Sequence, residues 1–147
     1  MYLVYEFNII VKSGKILKVI RLIVLFLGGG LGTLTRYFIS KVTNRFFLLS
    51  FPFGTTFVNM SGSFLIGFLW SFFDVIKISP NTRAFIFIGF LGGYTTFSTY
   101  MLENLNYFRD NEAKTAGMNI LVSNILGLVL VFFGFLLGKY LISVFRR

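Results

Sequence analysis

The sequence predicts an all-α integral membrane protein with four spanning helices, the third of them interrupted. Three observations carry that prediction. The 147 residues are 56% hydrophobic, 20% aromatic and only 13% charged, far from the balance of a water-soluble domain. The apolar residues fall in four runs, each near the roughly 20 residues that a helix needs to cross a hydrocarbon core of about 30 Å. The third run contains GFLGGYTTFSTY, from Gly89 to Tyr100, which is poorly suited to an unbroken helix. Each of the paired glycines Gly92 and Gly93 costs about 1 kcal/mol relative to Ala inside a helix, and Thr95 with Thr96 is a natural cap for a helix that restarts. Irregular backbone at membrane depth is tolerated only where protein buries it or it lines a polar cavity, so a break here marks an ion site.

Taken in order, residues 1–11 carry Glu6 and Asn8 among hydrophobics and lack the small-residue cleavage site of a signal peptide. They read as a cytoplasmic lead-in. The spans are expected at about 17–34, 53–73, 84–102 and 118–144, so that residues 1–147 form a single four-helix membrane domain with both termini on one side. The connections 36–52, 74–83 and 103–117 gather most of the remaining charges and both prolines. Each span repeats small residues four apart: Gly28 and Gly32, Ser63 and Gly67, Gly89 and Gly93, Ser123 and Gly127, Gly134 and Gly138. Such spacing lets helix backbones approach closely. Four thin helices packed so tightly leave little room for a water-filled path inside one subunit, which implies an oligomer if anything is transported.

Composition also limits the chemistry. The net charge of +9 comes from Lys and Arg between or beyond the apolar runs, with no basic face, so a lipid bilayer is the expected partner and nucleic acid is not. The chain has no Cys and no His, which removes thiolate metal sites and the commonest general base and counts against an enzyme. The five acids, Glu6, Asp74, Glu103, Asp110 and Glu112, are expected in loops or at span ends, which disfavours a proton relay.

In the second span, Thr56, Asn59 and Ser63 fall at i, i+3 and i+7 on one helical face, a stripe of uncharged hydrogen-bonding groups. Hydroxyls alone can serve helix packing, but the Asn59 amide is costly in an apolar interior unless partnered, and is a functional candidate. Asn119 and Ser123 form a weaker pair in the last span. Amide and hydroxyl groups can donate to an anion, aromatic ring edges present positive charge to one, and the half-helix after the break adds its positive dipole end. The balance favours a small anion. Arg36, just past the first span, either concentrates anions at a pore mouth or snorkels to the interface.

The glycine-rich first span ending in Thr35, Arg36 and Tyr37, the stretch GTTFVNMSGSF from Gly54 to Phe64, and the run from Gly89 to Glu103 together resemble the CrcB or Fluc family of fluoride channels. The likeness covers about Gly28 to Glu103, with length and span count agreeing over the rest. It implies a four-helix subunit assembled as an antiparallel, dual-topology dimer that exports fluoride passively across the cell membrane and so lowers cytoplasmic fluoride. By position, Asn59 matches the pore asparagine, Phe97 the first phenylalanine of an aromatic pair, and Arg36 the arginine closing the first helix. Gly92 and Thr95 match the positions whose backbone carbonyls hold a structural sodium ion that is not transported. Ser123 matches the polar face of the fourth helix approximately. Tyr100 departs from the pattern, which usually has a second phenylalanine there. The alternative, a small four-helix multidrug exporter, requires an acid in the first span, and 17–34 contains none.

Charge bears on topology. The side holding both termini and the middle loop carries Lys12, Lys15, Lys18, Arg21, Lys77, Arg83, Lys139, Arg146 and Arg147, against Arg36, Lys41, Arg45, Arg109 and Lys114 opposite. The bias favours cytoplasmic termini, whereas an antiparallel homodimer needs both orientations populated. A heterodimer with a paralogous subunit of opposite bias is the other resolution.

Overall fold

Helix α1, Tyr2–Phe46, runs for 45 residues without a stop. The computed structural model describes residues 2–46 and 51–146, with backbone alone for 2–13 and 15. Two expectations are corrected by α1. From Tyr2 onward the lead-in is helical, and the connection expected at 36–52 is helical as far as Phe46; Met1 and residues 47–50 lie outside the described residues. The reason is local: residues 36–46 contain charges but neither Pro nor Gly, so nothing ends the helix when the apolar run does.

Helix α2, Phe53–Phe73, starts immediately after Pro52, and its first amides, which have no partner within the helix, are met partly from α1, where Asn44 Oδ1 accepts the Gly54 N–H at 2.8 Å. A short α3, Pro80–Arg83, follows, with Pro in the first turn and Ser79 as N-cap, its hydroxyl accepting the Thr82 amide at 3.0 Å. The chain continues as a π-helix, Ala84–Leu91, then as α4, Gly92–Tyr94. After an interruption come α5, Ser98–Arg109, and α6, Ala113–Phe145. Asn111 turns the chain between them at φ 61°, a left-handed conformation that asparagine tolerates.

Among the described residues, four helical stretches are long and apolar enough to cross a membrane: Ile16–Phe46, Phe53–Phe73, Pro80–Arg109 and Ala113–Phe145. The third and fourth outrun the expected 84–102 and 118–144 because Ser79 and Pro80 start the one early, and because Asn111, rather than the charges around it, sets the turn.

Packing divides the helices into two intimate pairs. One is α1 against the π-helix and α4; the other is α2 against α6. Both are backbone-to-backbone contacts that only glycine permits. A Cβ on Gly28 would lie 2.7 Å from the Phe85 carbonyl oxygen and one on Gly93 2.5 Å from that of Gly29. Across the second pair, a Cβ on Gly67 would collide with the Val131 carbonyl and one on Gly134 with that of Phe64. Rings close the remaining gaps, Phe64 stacking on Phe68 and Phe73 meeting Phe87 edge-on at 4.9 Å. Where the chain passes from α2 to α3, Arg83 lies over the Trp70 ring at 4.4 Å.

Candidate functional site

The backbone leaves the helix at Thr95, which is extended at φ −85° and ψ 158°, and returns to helical angles at Phe97. Gly92 and Gly93, expected within the break, are helical; the interruption lies a few residues later, at 95–97. The glycines serve the contact with α1, and the interruption is built from threonine side chains. Thr95 Oγ1 donates to the Leu91 carbonyl at 2.9 Å, finishing the first half-helix. Thr96 Oγ1 accepts the Thr99 amide at 3.3 Å and donates to Thr99 Oγ1 at 3.0 Å, capping the second.

Asn59 holds this interruption from α2. Its Oδ1 accepts the Thr96 N–H at 2.8 Å and its Nδ2 donates to the Thr96 carbonyl at 2.9 Å, so one side chain satisfies both backbone groups of one unwound residue. Two carbonyls are thereby released from the helical ladder. The Thr96 amide, which an unbroken helix would give to Gly92, goes to Asn59; the Thr99 amide, due to Thr95, goes to the Thr96 hydroxyl. The Thr95 carbonyl accepts Arg36 Nη1 at 3.2 Å, and Gly92 sits at an exposed position.

Beside the interruption, between α2 and α6, lies a cavity of about 490 Å³. It brings together Asn59, Ser63, Phe97, Tyr100 and Ser123, with Gly92 and Thr95 also on its wall. Thr56 and Arg36 do not line it. Thr56 sits too near the start of α2, and Arg36 turns to the Thr95 carbonyl instead. The two rings differ: Phe97 is 70% exposed, whereas Tyr100 is 5% exposed, their centroids 6.0 Å apart. Ser123 donates its hydroxyl proton to Asn119 Oδ1 at 3.2 Å. Between α2 and α5, the Thr55 hydroxyl donates to Glu103 Oε1 at 2.5 Å, while Glu103 Oε2 is buried without a hydrogen-bond partner. Glu103 therefore lies inside the third stretch, not at its end, and the acids do not all lie in loops.

The family model described as "CrcB-like protein, Camphor Resistance (CrcB)" matches residues 23–135. The chain belongs to the CrcB family. A protein of Parabacteroides distasonis named "Fluoride-specific ion channel FluC" is 46% identical over 127 residues, covering 86% of this chain and 99% of that one. Relatives of the same name from Aquifex aeolicus and Pyrococcus horikoshii are 41% and 42% identical, covering 78% and 83% of this chain and 94% and 97% of their own.

In this CrcB protein the sequence left several polar residues of the site unmarked. Asn104 donates to the Tyr100 carbonyl at 2.8 Å and accepts from Asn119 at 2.9 Å, joining α5 to α6; Asn124 bonds the Tyr100 hydroxyl at 3.1 Å. An available signal was the density of amides, Asn104 in one span and Asn119 and Asn124 in the next, all in apolar surroundings where each requires a partner.

Proposed function

We propose that the chain is a fluoride-selective channel of the cell membrane, exporting fluoride passively and so lowering its cytoplasmic concentration. The observation that carries this reading is the cavity, whose lining gathers amide, hydroxyl and ring-edge groups beside the interrupted helix. A small anion holds its water tightly, and such a lining replaces that water with hydrogen bonds and ring edges at short range; a larger halide is excluded by size. The names of the relatives support the same ion. Asn59 acts through the backbone, holding Thr96 so that the Phe97 ring stands at the cavity wall.

The working unit is an antiparallel dimer, either a homodimer or a heterodimer with a paralogous subunit, since four helices packed backbone to backbone leave little room for a path inside one subunit. A structural sodium ion suits the interruption: the carbonyls of Gly92 and Thr95 are released from the ladder, and a hard cation takes such oxygens. A second subunit would add its own pair. Bound there, sodium supplies a fixed positive charge and is not transported. The Arg36 guanidinium on the Thr95 carbonyl leaves that oxygen a second lone pair.

Liposomes containing only the purified chain test the proposal. They should release fluoride without a proton gradient and retain chloride, and exchange of sodium for a bulky organic cation should abolish release. Equal release of both halides would overturn the channel assignment, and indifference to sodium would remove the cation from the account.

A further inference from the structure

Tyr100 carries a phenol hydroxyl beside a cavity proposed to pass an anion, and a free hydroxyl there would donate a strong hydrogen bond to that anion. The structure places it otherwise. The ring is buried, and its oxygen reaches α6, where Asn124 Nδ2 lies 3.1 Å away and the Ile120 carbonyl 3.4 Å away. The Asn124 amide is oriented by its own helix, donating to the Ile120 carbonyl one turn back at 2.7 Å. Its remaining N–H faces Tyr100, so the phenol oxygen is the acceptor in that contact and its proton is directed at Ile120. No proton of the hydroxyl is left for the cavity.

We propose that Asn124 is a positioning residue that occupies the Tyr100 hydroxyl, so that Tyr100 meets a passing anion through its ring edge alone, as a phenylalanine would. The inference rests on the fluoride-channel reading and adds a determinant of how one ring of the pair is presented. With Asn124 removed, the phenol oxygen loses the donor that ties it to α6, and the ring edge is no longer held in its place at the cavity. Asn124 also lines the cavity, but its amide nitrogen is engaged by the Tyr100 hydroxyl and the Ile120 carbonyl.

A double-variant cycle in liposomes tests this. Asn124→Leu should slow fluoride release by at least about threefold in the Tyr100 protein, a typical size for an interhelical hydrogen bond in a membrane, and by much less in a Tyr100→Phe background. The comparison is between backgrounds, whatever flux the Tyr100→Phe protein carries. Equal slowing in both would overturn the proposal. Thermal unfolding of the same four proteins in detergent gives a reading independent of fluoride: coupling between the two positions supports the contact, and additive effects overturn it. If the unaltered protein carries no fluoride while the unfolding coupling is present, the channel assignment fails and the Asn124–Tyr100 contact stands.

Discussion

Asn59 commits its amide oxygen and one N–H to the backbone of Thr96, so a change at this residue acts on the interruption and on the cavity together. In Asn59→Asp, a carboxylate can still accept the Thr96 N–H but has nothing to donate to the Thr96 carbonyl, and it sets a negative charge on the cavity wall. A charge at membrane depth costs about 3 kcal/mol on insertion scales, so fluoride release should fall by about a hundredfold. Release within about threefold of the unaltered protein would take Asn59 out of the path. Asn59 was legible because an amide in an apolar span has to be partnered. Its partner was not, because no spacing rule says which carbonyl of a distant segment will be unwound. Glu103 misled for a related reason. Its position near the expected span end suggested water, while α5 continues to Arg109 and draws the carboxylate against Thr55.

At the scale of elements, small residues four apart were readable as contact surfaces, but the sequence did not distinguish a glycine crossed by a neighbour from one facing open space. Gly67 and Gly117 separate the cases. A Cβ on Gly67 meets the Val131 carbonyl, whereas one on Gly117 meets nothing within 4 Å. Gly67→Ala should destabilise the purified protein by about 1–3 kcal/mol through overpacking, and Gly117→Ala should be neutral or stabilising by about 0.5–1 kcal/mol through helix propensity. Thermal unfolding of both in detergent decides: equal shifts would show that the α2–α6 approach does not depend on Gly67. The same contrast explains the misplaced interruption. Gly92 and Gly93 look like a break by propensity, but tertiary contact overrides propensity, and Gly93 is helical because α1 passes across it. Thr95 and Thr96 break the helix because their hydroxyls and Asn59 replace the ladder bonds that are lost.

For the whole molecule, four helices able to cross a membrane put the two described ends of the chain on one side, and the described charges still favour that side as cytoplasmic; Arg147 lies outside the described residues. The proposed antiparallel dimer requires either dual insertion or a partner. Single cysteines placed at the C-terminal end and in the connection between α5 and α6, then treated in intact cells with an impermeant thiol reagent, separate the two. A homodimer predicts labelling at both places, and a heterodimer at one of them only. The number of helices was legible because apolar length is a physical requirement of the bilayer. The assembly was not, since the faces that would meet a second subunit have the same apolar character as those that meet lipid.

The central claim is selectivity for fluoride along a passive path, and a bi-ionic reversal potential measures it most directly. With fluoride on one side of a planar bilayer and chloride on the other, current through the reconstituted chain should reverse far toward the fluoride equilibrium potential and stay there when a pH gradient is imposed. A reversal near zero, or one that follows the pH gradient, would contradict a fluoride-selective channel.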